Sequence, residues 1–340
     1  MVKPAGYQPP YTVTPAMVSD IAEISEKMGR YTALAEQALT PRLRRTNRIR
    51  SIQASLEIEN NTLTLEQVTA VIEGKRILGH PREIQEVQNA FAAYEAMESW
   101  RASEKHDFLA AHKTLMQSLV NEAGRYRSGD VGIFRGEQLV HMAPPADRVP
   151  TLIANLLAML KNTAEHPLIS SCICHYEIEF IHPFADGNGR IGRLWQTLIL
   201  KHWKPILAYL PIESVVRDRQ NDYYQSLALA DQHADATPFI EFMLNAIKEA
   251  VEEAGTSDLV TDLVTDPVAA LLKAISTNVL STKEIMHALN LSHRPTFRKN
   301  YLYPALQDSW IERTQPDTPT SPTQRYRLTS KGINWLGYSG

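Results

Sequence analysis

Cysteine is almost absent: the 340 residues include two, Cys172 and Cys174. Two apart in a helical stretch, they point to nearly opposite faces, which argues against a mutual disulfide or a shared metal, and no second Cys/His pair at zinc spacing accompanies them. They read as buried structural thiols in a reducing, cytoplasmic setting. Glycine is sparse too, 15 against 20 prolines, and with no internal repeat this removes collagen-like and solenoid architectures. No apolar run approaches the roughly 18 residues of a membrane helix, and the start lacks the apolar core of a secretory signal, so no membrane role is expected. Nor does one sign of charge dominate: 35 Lys and Arg oppose 38 Asp and Glu, a net −3. That balance carries no global signal for nucleic acid, membrane or an acidic partner, so any such role must be local. Phosphate loops of the Gly-Lys-Ser/Thr kind and paired-histidine zinc motifs are missing, which excludes P-loop NTPases and zincins.

What the chain has is apolar content, 44% of residues, at helical spacing. Phe108, Leu109, Leu115, Met116 and Leu119 form one stripe, and Leu152, Ile153, Leu156, Leu157 and Leu160 another, each flanked by polar residues. Thr40 before Pro41 reads as a helix start, and Thr64 with Gln67 as a capping box whose helix closes at Gly74. Residues 124–145 break the pattern with Val131, Ile133 and Phe134, then Leu139 and Val140, and predict a hairpin turning near Arg135 and Gly136, a flap on a helical body. Residues 255–267 are small, polar and acidic and end in proline, which suits a linker.

The segment after the linker has its own grammar. Ser281 or Thr282 caps a helix over 283–289, Asn290 turns the chain, and Ser292 starts a second helix bearing Arg294, Arg298 and Lys299. Trp310 and Ile311, a proline-rich turn and a strand from Gln324 complete a helix-turn-helix with a two-stranded wing, a winged helix. Residues 281–340 carry +4, so the first 280 carry −7. The local excess suits DNA, while dimerisation or target docking stay open for such a module.

The chemistry concentrates in Ile181-His-Pro-Phe-Ala-Asp-Gly-Asn-Gly-Arg-Ile-Gly-Arg193. Pro183 and Gly187 force a loop between two helices. Gly187 and Gly189 around Asn188 let backbone amides converge where a new helix presents its positive end, an anion cradle. Arg190 and Arg193, three apart, lean over one turn toward a polyphosphate. Asp186 is a hard oxygen ligand suited to Mg²⁺ shared with phosphates, and His182 titrates near neutrality and suits removal of a hydroxyl proton. Gly187, Gly189 and Gly192 formally match a dinucleotide fingerprint, with Glu213 further on, but the preceding residues are helical where that motif needs a strand.

This run resembles the signature of the Fic family (filamentation induced by cAMP), His-Pro-Phe-x-Asp/Glu-Gly-Asn-Gly-Arg-x-x-Arg, at every defining position. The resemblance implies a mainly α fold with an all-helical Fic core over 105–254 and a β-hairpin flap; with the linker and winged helix read above, the chain divides into an N-terminal helical region over 1–104, that core, a linker over 255–266 and a winged-helix domain over 267–340. It implies protein AMPylation, transfer of AMP from ATP to a Ser, Thr or Tyr hydroxyl of a target protein, with Mg²⁺ as cofactor. His182 would be the general base, Asp186 the metal ligand, Gly187, Asn188 and Gly189 the phosphate cradle, and Arg190 and Arg193 the phosphate-holding cations, Arg193 at the γ position. Family members that phosphorylate carry lysine in place of the second glycine, so Gly189 favours AMP transfer. The flap, 131–142, would dock the target by strand addition. Tyr223, Tyr224 and Gln225 fall where such proteins line the adenine pocket, with core packing as the alternative for the tyrosines. A homodimer is also implied.

Ser55 and Glu59 are four apart and share a helix face, and Ser55-x-x-x-Glu59-Asn60 resembles the family's inhibitory motif in its N-terminal version, on a helix over about 41–60. Glu59 would then pair with Arg193 and occupy the guanidinium that binds the γ-phosphate. Removal of AMP, with Glu59 orienting water, and a nucleotide-sensing winged-helix transcriptional regulator are the alternatives. The arginines between Arg42 and Arg50 read as a solvated face with dimer or ion-pair contacts, or as a patch for nucleotide or acid.

Overall fold

A computed structural model of the chain describes residues 9–38, 41–135, 138–254, 266–316, 318, 321 and 323–336. The chain divides into two units, Met1–Ala254 and Gly255–Gly340. In the first, helices α1 (Pro15–Ala38), α2 (Pro41–Ile58), α3 (Leu65–Ile72), α4 (Pro81–Ala96) and α5 (Lys105–Met116) lead into a hairpin of β1 (Gly132–Arg135) and β2 (Gln138–Met142). Then follow α6 (Val149–Asn162), α7 (Pro167–Ile181), α8 (Asn188–Trp203), α9 (Ile212–Asp218), α10 (Gln220–His233) and α11 (Thr237–Glu253).

The abundance of proline is explained by where it sits. In α4, α6, α7 and α11 a proline occupies the first turn, where its missing N–H costs nothing and its fixed φ suits the helix. Histidine rather than Ser, Thr or Asp caps two of these starts: His80 accepts from the Arg82 amide and His166 from the Leu168 amide. The predicted capping box is present, Thr64 and Gln67 each bonding the other's backbone, and Gly74 has φ +73 beyond the helix. Thr40 lies outside the described residues.

Helix α7 is buried on every side from Leu168 to Ile178, its polar members Ser170, Ser171, His175 and Glu177 included. Cys172 and Cys174 are therefore both buried and free, although they leave the helix on different faces. Burial pushes the Cys172 thiol up to about 12 and Cys174 higher still. Helix α8 packs on α7, and closely: a Cβ on Gly192 would meet His175 at 2.9 Å. The core of this unit joins Ile49, Ile52 and Leu56 of α2 to Phe108 of α5 and Leu194 and Trp195 of α8, so the residues ahead of 104 share one core with the motif helices. The hairpin is antiparallel with an irregularity between Ile133 and Phe134, and Arg135 ends β1; Gly136, at the predicted turn, lies outside the described residues. No helix among the described residues is long and apolar enough to cross a membrane.

The second unit begins with α12 (Asp266–Ile275), one residue before the expected boundary; residues 255–265 of the predicted linker lie outside the described residues. Strand β3 (Leu280–Ser281), α13 (Thr282–Ala288) and α14 (Arg294–Phe297) follow; α14 continues through a π-helical turn, Arg298–Leu302, into α15 (Tyr303–Gln307). Then come β4 (Ile311–Arg313), β5 (Arg325–Leu328) and α16 (Ser330–Trp335). Two expectations are corrected. His293, not Ser292, caps the second helix, its ring accepting from the Thr296 amide. The two expected strands, β4 and β5, pair, but the sheet has a third, because Leu280 and Ser281 pair with Tyr326 and Arg325 on the far edge of β5, giving the antiparallel order β3-β5-β4. Ser281 caps α13 in a second capping box with Glu284, and Asn290 turns the chain at φ +53. Trp310, Phe297 and Leu271 sit in a core of this unit's own.

Candidate active site

Between α7 and α8 the loop 182–187 is fastened from inside. Phe184 is fully buried, stacked on His112 with ring centroids 3.6 Å apart and within 5.4 Å of Phe108. Burial of such a ring is worth about 1.5–3 kcal/mol, enough to fix a short loop. The Asn188 amide closes it from the other side, donating to the Phe184 carbonyl and accepting from the Phe184 amide, both at 2.9 Å. The Asn188 side chain thus holds the loop, and what it offers a ligand is its backbone. His112 bonds the Asp186 carbonyl at 2.9 Å and accepts the Gly124 amide at 2.9 Å; those two bonds require the neutral ring, and burial, chiefly, brings its pKa down to about 4.

His182 stands at the end of α7 with φ +48 and ψ 60, a left-handed cap. Its Nδ1 is buried without a hydrogen-bond partner. Burial holds the ring below the usual histidine value, Arg127 and His141 add to that effect, and Glu179 opposes it. Gly187 caps α8 at φ +85, where a side chain would strike the Met116 sulfur at 2.6 Å. The next amides, of Asn188, Gly189 and Arg190, open the helix without intrahelical carbonyls.

Asp186 sits where α4 meets this turn. One oxygen accepts Arg190 at 2.9 Å and the Gly187 amide at 2.6 Å; the other accepts Arg82 at 3.1 Å. Arg190 also reaches Glu86 at 3.3 Å and is 5% exposed. The two motif arginines therefore diverge where their spacing predicted that they lean together. The carboxylates of Glu86 and Asp186 draw Arg190 one way, because a charge leaving water needs a partner. Arg193 turns the other way, to α2: Nε donates to Ser55 Oγ at 3.0 Å, and Nη2 donates to the Ser55 carbonyl at 3.0 Å and to Glu59 at 2.7 Å. Arg193 is 3% exposed; burial opposes its charge, and the carboxylates of Glu59 and Glu179 help outweigh burial. Helix α2 ends at Ile58, so Glu59 lies in the turn just beyond it. Its carboxylate is 2.3 Å from where a Cβ on Gly189 would stand, directly over the opening of α8.

These groups meet at a cavity of about 300 Å³ that takes in His182, Asp186, the Gly187–Gly189 backbone, Arg193 and Glu59. Tyr223 and Tyr224 line it from α10, Tyr223 being 1% exposed and donating to Glu179 at 3.1 Å. Gln225 is exposed and does not line it, and Arg190 stands behind its wall. Sequence reasoning missed Glu179, His141 and Asp231, which also line the cavity, and Arg82, Glu86, His112 and Arg127, which hold its loop. For Glu179 there was a signal, a carboxylate one helical turn before His182.

Comparison with known proteins agrees with this geometry. The Fic/DOC family model matches residues 102–200, and the model of the Filamentation induced by cAMP protein Fic-like C-terminal domain matches 266–329. A Fic family protein from Desulfovibrio desulfuricans G20, solved by crystallography, is 72% identical, with a TM-score of 0.76 over 95% of this chain and 99% of that one. Protein adenylyltransferase Fic of Nematostella vectensis is 30% identical over 213 residues, 59% of this chain and 47% of that protein. Fic-1 from C. elegans, at 22% identity and a TM-score of 0.56 over 70% of each chain, shares the fold. The chain belongs to the Fic family, and it spans about half the length of the curated relatives it matches.

Proposed function

We propose that this protein is an adenylyltransferase that moves AMP from ATP to a Ser, Thr or Tyr hydroxyl of another protein, and that Glu59 holds it inactive. The observation that carries the proposal is the position of the Glu59 carboxylate, on Arg193 and over Gly189, where amides, helix dipole and guanidinium together suit a terminal phosphate. In the working arrangement the phosphates lie along the start of α8, Arg193 holds the γ-phosphate, and Tyr223 and Tyr224 flank the base. The His182 ring removes the proton of the incoming hydroxyl, the hydroxyl oxygen bonds to the α-phosphorus, and the bond to the β-phosphate bridge breaks, releasing pyrophosphate. Positioning and charge neutralisation dominate such transfers, and the base adds about 10²- to 10⁴-fold.

Mg²⁺ fits the residues present: one carboxylate at the cavity edge, completed by phosphate oxygens, is a donor set that this ion takes. Asp186 would hold it, with the half-exposed Arg82 the partner that gives way, and the ion would supply neutralisation of phosphate charge. The flap, 131–142, is the docking strand for the target.

With Glu59→Gly, α-labelled ATP is expected to label the protein itself several-fold faster than the wild type does, and γ-labelled ATP not at all. Adding His182→Ala abolishes that labelling. Equal rates with and without Glu59 would reject the inhibition, γ-label transfer would mean phosphorylation, and label surviving the loss of His182 would reject the base. Should Glu59→Gly instead fail to label while the wild type strips AMP from a modified protein, Glu59 orients a water that attacks the phosphorus of the protein-bound AMP, releasing AMP and returning the free hydroxyl. We also propose nucleic-acid contact by the second unit, favoured by Arg294, Arg298 and Lys299, which stand exposed on consecutive turns after His293.

A further inference from the structure

Arg127 takes no step in the proposed reaction, yet it is 4% exposed just ahead of the flap. It spends its donors on backbone carbonyls. Nε donates to His182 at 2.7 Å, Nη1 to Gly129 at 2.8 Å, and Nη2 to Pro144 and, at 3.3 Å, to Ile181. Its own amide donates to Pro183 at 3.0 Å. The carboxylate it pairs with, Asp130, is 3.9 Å away with a side chain 71% exposed, so the pairing does not explain the burial. A buried cation costs several kcal/mol unless hydrogen bonds replace its water, and here carbonyls do so.

Those carbonyls come from two places. Gly129 and Pro144 flank β1 and β2 at the open end of the flap. Ile181 and His182 end α7, where carbonyls lack helical partners and the dipole is negative, a favourable place for a cation. His182 is also left-handed there at φ +48, a conformation that a residue with a Cβ adopts only against steric resistance. An outside tie on its carbonyl therefore bears directly on where its ring lies.

The geometry points to Arg127 as the positioning residue that fixes the base, His182, and the target-docking flap as one body. This inference rests on the adenylyl-transfer reading for the roles of those two parts. The guanidinium is the tie because its planar fork spreads five donors over both parts; the compact ammonium of lysine keeps the charge and cannot span them.

Two measurements test it. In the wild-type chain, amide hydrogen exchange of Arg127, bonded to Pro183, and of Ala143, bonded to Val131 at 3.1 Å, is expected to show one common opening rate; unrelated rates would overturn the coupling, and no substitution is needed. In the Glu59→Gly background, Arg127→Lys is expected to cut self-labelling at saturating α-labelled ATP by roughly 10²-fold, with half-saturating ATP unchanged and exchange over 131–142 and 182–187 rising together. Unchanged labelling, or a loss matched by weaker ATP binding, overturns the assignment. If the Glu59→Gly parent labels nothing, the adenylyl-transfer reading fails, and the exchange measurements alone decide whether Arg127 couples the two parts.

Discussion

His182 combines a strained backbone with a buried ring, and both properties bear on its acid–base behaviour. A base must be neutral to act. Burial, reinforced by Arg127 and His141, lowers the pKa of the ring, so the neutral form persists to lower pH than in a free histidine, which titrates near 6.5. In the Glu59→Gly protein the self-labelling rate at saturating ATP should therefore fall on the acid side with its half-loss point below pH 6.5. A rate already half lost above pH 6.5 would contradict the assignment of His182 as a base held neutral. The residues proposed to do chemistry were legible because they are contiguous: one loop carries His182, Asp186 and the glycines, and its composition has few other uses. The residues that hold them were not. Arg82, Glu86, His112 and Arg127 come from segments whose spacing says only helix or loop, and their meaning lies in partners 55 to 104 positions away. The divergence of Arg190 from Arg193 was hidden for the same reason, since spacing on one helix says nothing about a carboxylate on another.

At the level of elements, α2 is the piece whose attachment is most informative. Its apolar residues belong to the shared core, while its end is held by polar bonds: Arg193 to Ser55 and Glu59, Arg217 to Glu57 at 3.2 Å, and Gln220 to the Ile58 carbonyl at 3.0 Å. Removing one partner of a fully buried ion pair costs about 3–5 kcal/mol. Glu59 is 30% exposed, and Arg193 keeps both bonds to Ser55. The cost of Glu59→Gly should accordingly be nearer 1–2 kcal/mol, a fall in melting temperature of about 2–8 °C for a unit of this size. ATP should then raise the melting temperature of the variant more than that of the wild type, because it binds the guanidinium left free. Thermal denaturation with and without ATP checks both; equal shifts in the two proteins would show that Glu59 does not compete for the phosphate site. The helical stripes, the capping box at Thr64 and the first hairpin were readable from local pattern. The third strand of the second unit's sheet was not, because two residues, Leu280 and Ser281, carry no period.

Taken whole, the molecule is two units with separate cores, and its near-zero charge averages over them: +4 over 281–340 against −7 before. Within the second unit Arg325 and Arg327 are committed to Glu284 and Glu312; of the other basic residues over 281–340, Lys283, Arg294, Arg298, Lys299, Arg313 and Lys331, three fall in one exposed stretch, Arg294, Arg298 and Lys299. If these three meet DNA phosphates, affinity for a duplex should fall roughly 40-fold between 50 and 200 mM salt, a slope near −0.9 per contact. Arg298→Glu with Lys299→Glu should abolish a gel shift that the wild type gives at low salt; no shift by the wild type would dismiss the contact. One property of the first unit extends to the whole chain. Both cysteines lie inside α7, free, with thiols held far from the thiolate form, and it is the thiolate that reacts. The folded chain is thus a natural blank for thiol reagents: a single cysteine placed at the exposed Met142, the last residue of the flap, would take a fluorophore at that site alone, and the movement of the flap would become visible in the otherwise native protein.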